Sequence, residues 1–371
     1  MKIALAHDWL VGMRGGERVL DRLARLYGPT DLYVMVSNGR PHSPAIDACR
    51  VHVSRLQAIP GAAGPLRRSL LLLYPWAVES LRVDPRVDLL ISTSSSLIKS
   101  IRPPKSLVRR EPVPHLCYCH SPARYLWSSV SRDYGVGSGG IWRRAGLRLF
   151  GPRLRAYDRR SAARVTRFVA NSHHTARAIA RCFDRDSTVI HPPVDTDYFT
   201  PDPTIPREDF YLVASALEPY KRIDLAVDAA RRGDFRLVVA GTGAQERYLR
   251  SIAGATTEFR GFVSRDELRD LFRRARAMLF PGVEDFGMTP VEAMACGAPV
   301  IARAEGGALD WMAPGATAPI AAPTVASILD AIREFERLEP FDPAACRRQA
   351  ERFAAPLFNE RIDAEIRALT A

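Results

Sequence analysis

Two carboxylates, Glu284 and Glu292, flank a glycine-containing turn within Pro281–Val300, PGVEDFGMTPVEAMACGAPV. The apolar run ending at Phe280 reads as a strand. Thr289 followed by Pro290 reads as the N-cap and first turn of a helix over Thr289–Cys296. The first amides of a helix lack intrahelical acceptors. The N–H groups of Gly287, Met288 and Thr289 therefore face outward, where they favour an anionic or hydroxyl-rich ligand. Glu284 on the loop and Glu292 in the first turn can grip different parts of one polyol, and the helix dipole favours the charge of Glu292. Ordinary capping also accounts for such a pair, and at this point both readings stand.

Four further places carry chemistry. Lys221 and Arg222 follow the apolar run Tyr211–Ala216, as a cation pair or as a solvated surface pair. Val239–Gly243, VAGTG, is a strand followed by G-x-G, which fits a ligand loop or a plain turn. His120 comes just past the apolar run His115–Cys119, as a site residue or a structural histidine. His7–Glu17, HDWLVGMRGGE, has three glycines that let backbone approach a ligand closely.

The elements that must position these residues alternate. Lys2–Ala6, Asp31–Val36, Asp88–Ser92, His115–Cys119 and Arg167–Ala170 read as strands in the first half. Tyr211–Ala216, Arg236–Ala240, Ala277–Phe280 and Pro299–Ala302 do so in the second. Helical segments lie between them, including Glu17–Leu26, Ile223–Arg232, Ala244–Ile252 and Asp266–Arg276. Such alternation predicts an α/β fold with parallel sheets, whose ligands bind outside the carboxyl ends of the strands. From His191 to Asp209 five prolines in nineteen residues oppose a helix or a central strand. The expected organisation is a Rossmann-like domain over 1–193, a Pro-rich linker over 194–208, a second Rossmann-like domain over 209–345 and a helical segment over 346–371, with a cleft between the domains.

The 371 residues suit two domains, and 47% apolar with 25% charged residues suits a soluble globular protein. No apolar run reaches the roughly 20 residues that span a bilayer. A signal peptide is not expected, because Asp8 interrupts the first apolar stretch. Six cysteines at these spacings make no disulfide or metal framework, so buried reduced thiols are expected. The net charge of +12 is segregated: residues 1–200 carry 31 Lys+Arg against 15 Asp+Glu, and residues 201–371 carry 22 against 26. The basic half is expected to face something anionic. Pro65–Val78 and Gly140–Arg167 mix arginine with apolar and aromatic residues, as an interfacial surface or as core-facing stripes.

The segment from Glu284 to Ala302 resembles the E-x7-E signature of family 4 retaining glycosyltransferases, with its Ala-rich helix and Gly-x-Pro-Val turn. The resemblance covers nearly the whole chain in motif order. It implies a GT-B architecture of two Rossmann-like domains facing across a cleft. Glu284 would lie by the transferred sugar and Glu292 on the ribose, with Phe286, Gly287, Met288 and Thr289 on the sugar and β-phosphate. Tyr211–Ala226 resembles the strand and loop that supply an Arg and a Lys to the diphosphate. Lys221 matches the Lys, but Ala216 stands where the Arg is usual, which leaves Arg222 or Arg14 to compensate. Gly241 matches a donor-loop glycine. Arg260 and Phe262, in EFRGFVSRDE, match the nucleotide-base loop, although a core phenylalanine is the equal reading for Phe262. The H-D-W-L…G-G-E run resembles that of bacterial O-antigen and exopolysaccharide mannosyltransferases, placing Gly15 and Gly16 beside the donor phosphates. His120 matches the cleft histidine, with Arg14 and Arg124 on the acceptor side.

What this implies is a metal-independent hexosyltransferase without cofactor, using a nucleotide-sugar donor (GDP-mannose by resemblance) and a lipid-linked oligosaccharide acceptor. Lys221 would stabilise the leaving diphosphate, while Glu284 and His120 position the sugar. It would act on an anionic membrane surface, peripheral at the cytoplasmic face. The alternatives are a nucleotide-sugar epimerase of the same shape and, given Ala216, a binder that transfers nothing. Nucleic-acid binding is not expected, since no helix-turn-helix, zinc or RNP-like motif accompanies the arginines.

Overall fold

The computed structural model describes residues 1–107, 111–127, 140–337 and 342–370, the side chains of 65 and 140–144 apart. Trp142, expected on the basic and apolar stretch, lies outside the described side chains. The chain divides into two compact units: Met1–His191 with Asn359–Ala371, and Pro192–Phe358.

The first unit is built on seven parallel strands in the order β3-β2-β1-β4-β5-β6-β7. They are β1 (Ile3–Leu10), β2 (Asp31–Ser37), β3 (Arg50–Val53), β4 (Leu89–Ser94), β5 (His115–Cys119), β6 (Arg167–Ala170) and β7 (Ser187–Val189). β1, β4 and β5 are buried almost throughout because helices cover both faces, which is why they read as unbroken apolar runs. The long helix Gly140–Ser161 is tied to this unit from inside. Asp158 is fully buried and accepts from the ammonium of Lys99 and, at 2.6 Å, from Trp127 Nε1. The last residues of the chain return to this unit, where Arg22 donates to Asn359 (2.8 Å) and Tyr27 to Asp363 (2.7 Å).

The second unit carries six parallel strands in the order β10-β9-β8-β11-β12-β13. They are β8 (Tyr211–Ala214), β9 (Leu237–Ala240), β10 (Thr257–Gly261), β11 (Ala277–Phe280), β12 (Val300–Arg303) and β13 (Thr317–Ile320). Most of the Pro-rich segment 194–208, expected as a stiff linker, packs into this unit. Val194 and Phe199 are fully buried in its core, and the Arg207 guanidinium donates to the carbonyl oxygens of Ala275 (2.6 Å) and Gly297. The segment expected to be helical over 346–371 comprises the helices Pro343–Glu351 and Ala355–Thr370.

All six cysteines are buried and none is disulfide-bonded. Burial pushes the thiols of Cys117, Cys296 and Cys346 up to about 12, so they stay protonated. Among the described residues no helix is long and apolar enough to cross a membrane.

Candidate active site

In the second unit the chain runs outward from β8 to β10 and then returns to β11 on the other side of β8. That reversal opens a crevice beyond the carboxyl ends of β8 and β11, where open α/β sheets bind ligands. The loop after β8 ends in a single turn, Pro219–Lys221, and the loop after β11 carries Glu284. Across the crevice Lys221 Nζ donates to Glu284 Oε1, with the two side chains 12% and 17% exposed.

Glycines let these loops touch. A Cβ on Gly282 would stand 2.7 Å from the carbonyl oxygen of Lys221, so only glycine allows that approach. Gly307 N donates to Glu284 O at 2.8 Å, and a Cβ on Gly306 would come within 2.6 Å of that same oxygen. The carbonyl of Glu284 is thus packed against the Gly306–Gly307 turn. Gly241, expected as a donor-loop glycine, has φ +139 and would put a Cβ 1.9 Å from Ser215 O. It brings the loops after β8 and β9 together.

The helix after the second loop runs over Met288–Ala295 and is capped by Gly287 in the left-handed region at φ 85. The expected Thr289 cap is therefore corrected. Glycine alone enters this conformation freely, so the helix starts earlier and Thr289 lies inside its first turn. Glu292 falls in the next turn, 2% exposed. Phe286, expected on the donor, has its ring in the core against Phe353, while its carbonyl oxygen accepts from Trp311 Nε1 at 2.7 Å. Its part is to fix Gly287. Met288 likewise packs partly against the core.

Arg222, offered as a substitute for the missing arginine, gives its guanidinium to Asp224 in two 3.1 Å bonds. Ala216 sits half-buried in the loop after β8. Arg260 pairs with Glu258 at 2.6 Å on the surface of edge strand β10. Phe262, just past that strand, is 85% exposed, which removes the core reading and leaves an aromatic face open to a planar ligand.

The first unit has its own reversal, between β1 and β4. The helix Gly15–Tyr27 begins there, with Arg14 N donating to Glu17 Oε2 at 3.1 Å. Glu17 is buried 3.9 Å from His7 Nε2, and His7 Nδ1 shares a 2.6 Å hydrogen bond with Thr93 Oγ1. Burial pushes the Glu17 carboxyl up, but hydrogen bonding and charge from His7 outweigh it, and the net shift is downward. His120 donates its backbone N–H to Ser94 O (2.8 Å) and turns its ring toward the same place. Burial, with His7 second, pushes His120 down to about 3, so it is neutral at pH 7. Its buried Nε2 has no hydrogen-bond partner among the described residues, and a Cβ on Gly16 would stand 3.5 Å from it. Gly15 and Arg14 are exposed beside this point, and Arg124 opens the short helix Arg124–Trp127.

Sequence reasoning missed what braces this corner. Asp8, fully buried, accepts from Ser95 N (2.6 Å), Ser96 N (2.9 Å) and Ile98 N (3.0 Å), clasping the loop after β4 to β1. An acid inside an otherwise apolar strand was the available signal, because such a charge must find donors.

Comparison with known proteins follows this division. The description Glycosyltransferase Family 4 matches residues 13–198, and Glycosyl transferases group 1 matches residues 198–353. A D-inositol 3-phosphate glycosyltransferase of Mycobacterium sp. (strain KMS) is 30% identical over 181 residues, 42% of this chain and 41% of the relative. The chain thus spans about two fifths of the length of the curated relatives it matches. Sucrose-phosphate synthase from Thermosynechococcus elongatus aligns with a TM-score of 0.73 at 17% identity, over 100% of this chain and 99% of the other. Anabaena HepE in complex with UDP-glucose aligns with a TM-score of 0.69 at 18% identity, over all of both chains.

Proposed function

The chain belongs to glycosyltransferase family 4, with the two Rossmann-like domains of the GT-B fold, and on that footing we propose that it transfers a hexose from a nucleotide-sugar. The observation that carries this reading is the crevice at β8 and β11. It joins a cation, a carboxylate and the free amides of a helix start within one set of glycine-locked loops. A nucleoside diphosphate-sugar needs all three. Its diphosphate takes Lys221 and the amides of Gly287 to Thr289, its sugar hydroxyls take Glu284, its ribose hydroxyls take Glu292 and its base lies on Phe262. The UDP-glucose bound by HepE supports a donor of this class. GDP-mannose is the donor suggested by the H-D-W-L…G-G-E segment.

In the proposed reaction the diphosphate leaves from the anomeric carbon while the acceptor hydroxyl attacks the same face and gives its proton to the departing diphosphate oxygen, so configuration is retained. Lys221 and the helix amides compensate the charge that develops on the leaving oxygen. His120, neutral and with Nε2 turned toward Gly16, takes a hydroxyl at the first unit's own reversal. No metal or other cofactor is needed in this scheme. The acceptor is a lipid-linked oligosaccharide, met at the cytoplasmic face of a membrane by the basic first unit.

The test is transfer of label from UDP-glucose and GDP-mannose to a lipid extract, with and without chelator. Turnover that survives chelation and is lost in Glu292→Ala supports the reading. Ala216 supports one rival, a donor binder without transfer, and binding of a nucleotide-sugar with no turnover on any lipid would favour it.

A further inference from the structure

Lys221 and Glu284 satisfy each other at the second unit's crevice. Both side chains are largely shielded from water, and both loops are fixed. Gly282 presses on the backbone of Lys221, and Gly307 N–H holds the carbonyl of Glu284. With Ala216 in the loop and Arg222 committed to Asp224, Lys221 is the cation these loops offer to an incoming anion. An anion that takes Lys221 therefore takes it from Glu284.

We propose that this pair makes the site select an intact nucleotide-sugar over the free nucleoside diphosphate, with Glu284 as the specificity-determining residue. The inference rests on the donor-site reading above. A free diphosphate draws Lys221 away and leaves a shielded carboxylate beside added negative charge, and it brings no sugar hydroxyl to replace the ammonium. Both the lost pair and the new repulsion oppose binding. An intact nucleotide-sugar brings hydroxyl groups along with its diphosphate. Those hydroxyls donate to Glu284 as Lys221 leaves, so the carboxylate is satisfied in the bound state as it was before. The same pair speeds the end of a cycle. Once the hexose has been transferred, Glu284 loses its hydroxyl donors, reclaims Lys221 and disfavours the remaining diphosphate. The discrimination is between a substrate and its own product, and it needs no movement of the loops.

The experiment is calorimetric titration of the full chain with UDP, UDP-glucose, GDP and GDP-mannose, for wild type, Glu284→Gln and Glu284→Ala. Thermal melts check that each protein is folded. In wild type the cognate nucleotide-sugar binds tighter than its diphosphate. In both variants the free diphosphate gains about ten-fold in affinity, as expected for removing a nearby shielded charge. The nucleotide-sugar gains less or weakens, so the preference collapses, and the gain for the diphosphate shrinks at high salt. If the folded variants bind the free diphosphate no tighter than wild type while wild type binds nucleotide-sugar, the pair is structural and this inference alone is overturned. If neither wild type nor the variants bind any of the four ligands, the donor-site reading falls and takes this inference with it.

Discussion

His115 and His120 are buried as neutral rings, and both are pushed by burial from 6.5 down to about 3. The unfolded chain protonates near 6.5 and the folded chain does not, so between pH 6.5 and 3 the unfolded state binds more protons. Stability is full above that window and falls as pH drops through it, by up to about 1.4 kcal/mol per pH unit for each ring. Asp8, whose pKa burial raises, works in the opposite direction. Comparison with a His115→Gln, His120→Gln variant isolates the histidines. Urea unfolding at pH 7.5 and 5.0 should show a smaller loss for the variant, and equal losses would overturn the assignment. Gly16 gives a second test. A Cβ there meets His7 and His120 only at ordinary contact distances of 3.4 and 3.5 Å. Gly16→Ala should therefore keep its stability, or gain about 0.5 kcal/mol from helix propensity. It should still lose at least about ten-fold in turnover, because the methyl fills the space through which a ligand hydroxyl would approach His120 Nε2. Denaturant melts and the transfer assay, read together, separate the two effects.

At the level of elements, the loops at the second unit's crevice are spaced by what glycine lacks. Gly241→Ala combines a left-handed backbone with a Cβ 1.9 Å from Ser215 O. It should cost about 3 kcal/mol or more and shift the Lys221 loop, visible as a lower midpoint in denaturant. An unfolding free energy within about 0.5 kcal/mol of wild type would show that the loops are not so coupled. These contacts explain what the amino-acid pattern disclosed and what it hid. The central strands β1, β4, β5, β8, β9 and β11 are covered on both faces, so they stand out as apolar runs. The strands it passed over, β3, β7, β10 and β13, are the four sheet edges. They are half-exposed and mixed in composition, as in RVHV, STV, TEFRG and TAPI. Long-range pairing, which no local pattern encodes, makes them strands. The acid pair at Glu284 and Glu292 was legible because a strand end, a glycine and a helix start are contiguous in the chain. The salt bridge from Glu284 to Lys221 was hidden, since 63 residues separate the two. So was the tie from His7 to Thr93, 86 residues apart.

Across the whole molecule, charge and apolar surface concentrate in the same unit. Residues 1–191 carry 31 Lys+Arg against 13 Asp+Glu, and Leu66, Leu72, Leu73 and Trp76 are exposed there beside Arg68. Leu149 is 64% exposed on the helix Gly140–Ser161, and Phe150 is exposed next to it. Arg67 is drawn in, its guanidinium 4.7 Å above the Trp9 ring, so its role is internal. Tyr74, Ala77 and Val78 from the same stretch are buried, which settles that part of it as core. On the membrane-surface reading proposed above, the remaining side chains are the ones that would meet an anionic bilayer. Arginine near the surface contributes about 1 kcal/mol each through attraction to lipid charge, and shallow insertion of leucine and tryptophan adds about 25 cal/mol per Å² buried. Neither contribution alone makes a lasting attachment, so binding should need both. Flotation with phosphatidylglycerol vesicles should recover the wild-type protein, and pure phosphatidylcholine should recover far less. Salt at 1 M, where the screening length falls to about 3 Å, should release most of it. Leu72→Ser, Leu73→Ser, Trp76→Ser should weaken binding about ten-fold or more at low salt while leaving the unfolding midpoint near wild type, since these side chains already face solvent. Equal recovery on neutral and anionic vesicles would remove the electrostatic half of the argument. Unchanged recovery of the triple variant would remove the apolar half, and absence of binding to either vesicle would remove the membrane-surface reading.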